Sequence, residues 1–124
     1  MNKTITAAAA PAATGPYCHA NQAGNMLFIS GQLGVDKAAG TLGKDVSEQA
    51  ALALKSMGAI LEEAGMSYAD VVKTTVFLAD INDFAAINAI YSSVFHTDPP
   101  ARSCYQVANL PKGALFEIEA IAVK

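Results

Sequence analysis

Residues 45–78 read DVSEQAALALKSMGAILEEAGMSYADVVKTTVFL, and their apolar period changes once on the way. Ala50, Leu54, Met57, Leu61 and Ala64 recur at steps of four and three, which puts one apolar stripe on a helix. Asp45 and Glu48 have the spacing of an N-cap and its box partner, and Gly65 suits the C-terminal stop. The run VVKTTVFL is rich in β-branched residues and predicts a strand. A strand before this unit makes it a strand–helix–strand passage, and NMLFISGQLGV supplies one, an apolar run closed by Gly31 and Gly34. YCHANQAGN ahead of it reads as a further strand and a turn, completing a hairpin.

The pattern then repeats. DFAAINAIYSSVF predicts a second helix with Phe84, Ile87, Tyr91 and Val94 on one face, and Pro99 and Pro100 close that region. RSCYQV and ALFEIEAIAV predict the last two strands. The order is strand–strand–helix–strand–helix–strand–strand. Right-handed crossovers place both helices on one face of a mixed sheet and leave the other face bare. AAAAPAATGPY at the start is low in complexity, and its prolines fit an ordered extended arm as well as a floppy one.

With 124 residues the chain fits one domain, 1–124. Hydrophobic residues make up 52% and charged residues 15%, where a soluble domain usually carries about 25% charged residues. So little charge leaves apolar surface for other copies of the chain to cover, and a homo-oligomer is expected. The net charge of −3 and scattered basic residues speak against nucleic acid. Two cysteines, Cys18 and Cys104, form no C-x-x-C and fit a reducing compartment. The alanine-rich start lacks the apolar core of a signal peptide, and no stretch approaches the roughly 20 apolar residues of a membrane span. The expectation is a soluble, cytoplasmic protein.

One stretch resists the core pattern. In DPPARSCYQVANLPKGALFEIEAIAV, residues 98–123, strand alternation points Glu117 and Glu119 the same way, roughly 7 Å apart. Two carboxylates so close raise one pKa unless a cation answers them. Arg102 is the nearest in sequence, expected at the start of the adjoining strand. Such a set serves either as a structural ion pair at a subunit interface or as a carboxylate-binding site, with the arginine fork on a substrate carboxylate and a glutamate holding a water. Other chemistries find less support. There is no tryptophan to stack a sugar, no metal-binding His/Cys pattern, no G-x-S-x-G, no P-loop and no dinucleotide fingerprint. Cys104 stands near neither His19 nor His96 in sequence and reads as a buried small residue.

GPY, FISGQ, VVKTTVFLADINDFAAINAIY, PPARSC and EIEAIAV, in this order and spacing, resemble the RidA family of enamine/imine deaminases, from about Thr4 to Val123. PPARS followed at this distance by EIEAIA is the most specific part. The resemblance implies a chorismate-mutase-like α+β fold, a homotrimer with the sheets facing inward, and sites in clefts between neighbouring subunits. It implies that Arg102 holds the substrate carboxylate and Glu117 binds and activates the water. Backbone groups at Gly31 and Cys104 would bond the ligand, and Tyr17, Ser30 and Asn88 would line the pocket. The implied reaction is cofactor-free hydrolysis of 2-iminobutanoate and 2-iminopropanoate to 2-oxo acids and ammonia. A trimer that binds 2-oxo acids without turnover is the alternative. Cys18 and His19 after GPY and Tyr105 after Cys104 depart from the usual pattern, and Glu119 receives no role.

Overall fold

A computed structural model describes residues 2–124. Its strands are β1 (Asn2–Ile5), β2 (Ala20–Ala23), β3 (Met26–Leu33), β4 (Val35–Asp36), β5 (Thr41–Leu42), β6 (Val71–Leu78), β7 (Ala101–Gln106) and β8 (Phe116–Val123); its helices are α1 (Val46–Glu63) and α2 (Phe84–Val94). Six strands form one mixed sheet in the order β1-β2-β3-β8-β6-β7, while β4 and β5 make a separate ribbon. β8 runs antiparallel to both β3 and β6, so those two are parallel with β8 between them, and α1 crosses over it. β6 and β7 are parallel neighbours joined through α2. The α+β order expected from the sequence is present, with two additions. β1 pairs with β2, so the chain's opening is an ordered edge strand, and a two-strand ribbon precedes α1.

Asp45 caps α1 and Gly65 ends it as their spacing predicts, but Glu48 does not return the bond that would complete a capping box. The Asp45 carboxylate accepts the Glu48 N–H at 2.8 Å. At the other end Gly65 adopts φ 73°, letting its N–H reach Glu62 O at 2.9 Å and Met66 N–H reach Leu61 O at 2.8 Å. Ala50, Leu54, Met57 and Leu61 bury the inner stripe of α1 against alternate residues of the sheet, among them Leu27, Ile29, Val76, Phe116 and Ile118.

Alternation on the central strands sets what each face carries. Thr74, Val76 and Leu78 of β6 and Phe116, Ile118, Ala120 and Ala122 of β8 are buried on the helix side. Glu117, Glu119 and Ile121 of β8, Thr75 and Phe77 of β6 and the 41%-exposed Phe28 of β3 point to the side that no helix covers. The start of α1 is tied to the rest by Gln49. Its amide donates to Gly43 O at 3.0 Å and accepts the Leu115 N–H at 2.8 Å.

Candidate active site

The pairing of β3 with β8 slips once. Ile29 lies opposite Ala120 and Gln32 opposite Ile118, so Ser30 and Gly31 together face the single residue Glu119. This bulge shows that Gly31 does not close the strand, which continues to Leu33. Bulges re-aim side chains and recur beside functional sites. Here it brings the Gly31 backbone against the Glu117 carboxylate; a Cβ added at Gly31 would stand 2.5 Å from Oε2. Ser30 donates its hydroxyl to Cys18 O at 2.7 Å and its N–H to His19 O at 3.0 Å, which pins the Tyr17–His19 segment beside the bulge. Tyr17, which alone would be taken for core, is 53% exposed and lines an open cavity with Gly31, Thr14 and Lys112.

Glu117 is half-buried in this corner. Burial first, and the neighbouring Glu119 carboxylate second, push its carboxyl above the usual carboxylate range. A glutamate so shifted ionises closer to neutrality, which suits a group that must take and return a proton.

Arg102 stands elsewhere. One of its NH groups donates to Asn88 Oδ1 at 2.8 Å, and its guanidinium carbon lies 4.6 Å from the Tyr91 ring centroid and 5.3 Å from that of Phe84. Phe84, Asn88 and Tyr91 follow at steps of four and three along α2 and so present one face to the guanidinium. Tyr91 is itself held by a 2.8 Å hydrogen bond between its hydroxyl and that of the fully buried Thr74. The stack and the amide fix the plane of the fork and leave its remaining N–H groups for an anion. Burial pushes the Cys104 thiol up, against the pull of Arg102. An open groove carries Arg102 with Phe84, Asn88, Tyr91, Ser92 and Phe95.

The structure corrects one expectation here. Arg102 is not on the strand adjoining Glu117, because β6 lies between β7 and β8. Arg102 is level with Thr74 on the helix face, whereas Glu117 is level with Phe77 on the open face. Two strand spacings and a three-residue offset separate their backbones by roughly 10 Å in each direction. Within one chain the arginine does not answer the two glutamates, and the two groups cannot touch one small molecule together. Arg102, Asn88 and Cys104 lie together on the helix face, while Tyr17, Ser30, Gly31 and Glu117 lie around the bulge.

The sequence alone does not place Phe84, Tyr91 or Thr74 around Arg102. Phe84 and Tyr91 match the apolar stripe of a helix, and only the polar Asn88 at the intervening step hints that this face holds a side chain as well as a core. Phe84 is 41% exposed, lying past the core and over the arginine. Among the described residues no group of three or more His, Cys, Asp or Glu could hold a metal ion, and no helix is long and apolar enough to cross a membrane.

Residues 7–124 match the family model described as Endoribonuclease L-PSP. A 2-iminobutanoate/2-iminopropanoate deaminase of Salmonella typhimurium is 50% identical over 127 residues, covering 100% of this chain and 99% of its own. The chain belongs to the RidA family. The human protein of the same name is 50% identical over 125 residues, covering 100% of this chain and 91% of its own. Among solved structures, E. coli TdcF with bound serine superposes with a TM-score of 0.95 at 46% identity, covering 98% of each chain. RidA from the Antarctic bacterium Psychrobacter gives 0.96 at 43% identity, covering 98% of this chain and 99% of its own.

Proposed function

We propose that this chain hydrolyses 2-iminobutanoate and 2-iminopropanoate to the 2-oxo acids and ammonia, in sites completed by a second copy of itself. The observation that carries this reading is the separation of two complementary half-sites: an oriented arginine fork on the helix face and a partly desolvated glutamate on the open face. A 2-imino acid joins its carboxylate directly to the reacting carbon, so both groups serve one substrate only across an interface. The uncovered sheet face, with Phe28, Ile121 and Phe77, supplies apolar surface for that interface, and a closed homotrimer of the chorismate-mutase-like kind satisfies each copy equally. Relatives at 50% identity carry the name of this activity.

In the reaction Arg102 binds the substrate carboxylate bidentately and sets the imine carbon near Glu117 of the neighbouring copy. Ionised Glu117 takes a proton from water as the oxygen attacks the carbon of the N-protonated imine, giving a carbinolamine. It returns the proton to the amine nitrogen and takes the hydroxyl proton as the C–N bond breaks, so the carbonyl forms and ammonia leaves, carrying that proton away as ammonium. The chain's contribution is orientation plus one placed base, each worth a few orders of magnitude at most. The ribonuclease activity in the family description finds less support, since a net charge of −3 lacks the basic surface that phosphates attract.

Mixing tests both parts of the proposal. Arg102→Ala and Glu117→Ala proteins are each inactive alone, but after joint unfolding and reassembly about a quarter of the interfaces combine an intact arginine with an intact glutamate. Recovered release of 2-oxobutanoate supports the shared site, and two inactive proteins whose mixture stays inactive overturn it. Full activity of Glu117→Ala alone would remove this glutamate from the chemistry.

Glu119 acts on the same base through its charge. Its carboxylate raises the pKa of Glu117, and the attacking step needs Glu117 ionised. Glu119→Gln is therefore expected to lower that pKa and move the acid limb of the kcat/KM profile to lower pH, with the alkaline side unchanged. A pH–rate profile checks this; an acid limb that stays in place would deny the coupling.

A further inference from the structure

We infer that His19 is a positioning residue for the Tyr17–Gly31 half of the site, an inference that rests on the assignment of that half-site above. The imidazole is 3% exposed and takes no part in the proposed chemistry. Both ring nitrogens are nevertheless committed, and to the same segment. Nδ1 accepts the Ala7 N–H at 3.0 Å, so the ring proton resides on Nε2, which donates to Pro11 O at 2.7 Å. The two anchor points lie on either side of the turn closed by Ala10 N–H on Ala7 O at 3.2 Å. One rigid ring thereby fixes the turn from both ends.

What this fixes is the wall of the site. From Pro11 the chain runs through Ala12, Ala13 and Thr14 along the cavity that Tyr17 and Gly31 share. The Thr14 N–H reaches the Tyr17 hydroxyl at 3.4 Å. The backbone of His19 is meanwhile bonded to Ser30, the first residue of the bulge. His19 therefore connects the arm on one side to the bulge on the other, and the distance between Tyr17 and Gly31 follows from both links. Lys37 Nζ bonds Ala8 O and Ala10 O from outside the turn, but it is an exposed, flexible side chain and holds the carbonyls of the turn rather than its ends.

The pair of bonds requires one acceptor and one donor on a side chain of this reach. Glutamine offers both, with Oε1 toward Ala7 N–H and its NH₂ toward Pro11 O. Phenylalanine fills the space but offers neither, and asparagine is polar but too short to span the two points. The test compares His19→Gln, His19→Phe and His19→Asn in the full-length protein, measuring KM and kcat for 2-iminobutanoate and amide hydrogen exchange at Ala7–Thr14. His19→Phe and His19→Asn are expected to raise KM about tenfold with kcat within about twofold, because ground-state and transition-state binding are lost alike. Exchange rises within Ala7–Thr14 in both, at Ala7 itself in His19→Phe, while β3, β6 and β8 stay protected. His19→Gln restores both readouts to near the wild-type values. Should His19→Phe fail to fold, the Asn and Gln pair decides the matter on the same terms.

A purely structural role would lower the melting temperature of these variants and leave KM of the folded protein unchanged; that outcome overturns the inference. So does a raised KM without faster exchange in the arm. If the wild type turns over no imine, the functional assignment fails separately, and the Kd for 2-oxobutanoate replaces KM as the readout for His19. A wild type that neither turns over imine nor binds 2-oxobutanoate overturns both.

Discussion

Arg102→Ala is expected to lower kcat/KM for 2-iminobutanoate by about 10²- to 10³-fold, the cost of losing a charge-assisted fork on a desolvated carboxylate. The fold should hardly notice. Arg102 is half-buried, and its removal frees the Asn88 amide and the faces of Tyr91 and Phe84 in an open groove where water can reach them. A melting temperature within a few degrees of the wild type is therefore part of the expected result. Arg102→Lys separates charge from geometry. An ammonium keeps the attraction but neither the bidentate fork nor the flat stack on Tyr91, so it recovers only a small part of the loss. The measurement is release of 2-oxobutanoate from freshly generated imine, with semicarbazide trapping whatever escapes hydrolysis. A lysine variant as active as the wild type would show that position 102 supplies charge alone, and an unimpaired alanine variant would remove the arginine from the site.

Gly34→Ala should carry the largest cost in stability, about 3 kcal/mol, or a fall of about 10 °C in melting temperature. Gly34 is buried, and a methyl group there would drive into the carbonyl, Cα and carbonyl carbon of Gln49 in the first turn of α1. Backbone cannot step aside as a flexible side chain can. Gln49 also holds Gly43 and Leu115 through its amide, so a displaced α1 would strain three segments together. Gly24→Ala provides the contrast. Gly24 has φ 61° and open space where a methyl group would sit, so its substitution costs only the left-handed penalty of about 1–2 kcal/mol. Thermal unfolding of the two variants side by side checks the difference. Equal losses would mean that the approach of β3 to α1 is looser than this packing.

Much of the architecture was legible because it depends on period and punctuation. The α1 stripe, its Asp45 cap and its Gly65 stop are local signals, and the helix obeys them. β1 was not legible, since NKTI is short and gains its strand character only from pairing with Ala20–Ala23. Nor was the place of β8. Strand alternation correctly turned Glu117 and Glu119 to one side, but nothing local reveals that β6 comes between β8 and β7, and so proximity in sequence suggested the wrong partner for the glutamates. The bulge at Ser30–Gly31 was equally hidden. A glycine after an apolar run signals a strand end as readily as an extra residue, and only the register against β8 distinguishes them. Phe84 misled for a related reason, because an aromatic side chain on an apolar element looks like core until its surroundings are known.

The central place of β8 also bears on how the chain reaches this state. β3 and β6 are laid down early and both need β8, the latest strand in chain order, as their antiparallel neighbour. Until it arrives each of them presents an open edge, and α1 has only half a sheet to rest on. Local hairpin formation can join β1, β2 and β3, but the closing contacts must span most of the chain, which makes assembly slow and leaves early stages prone to pairing with the wrong strand. The same strand carries Glu117, so the proposed base takes its place beside the bulge only when the sheet is finished. A chain stalled before that step would thus carry Arg102 on its stack against α2 and have no placed Glu117 to offer a neighbouring copy.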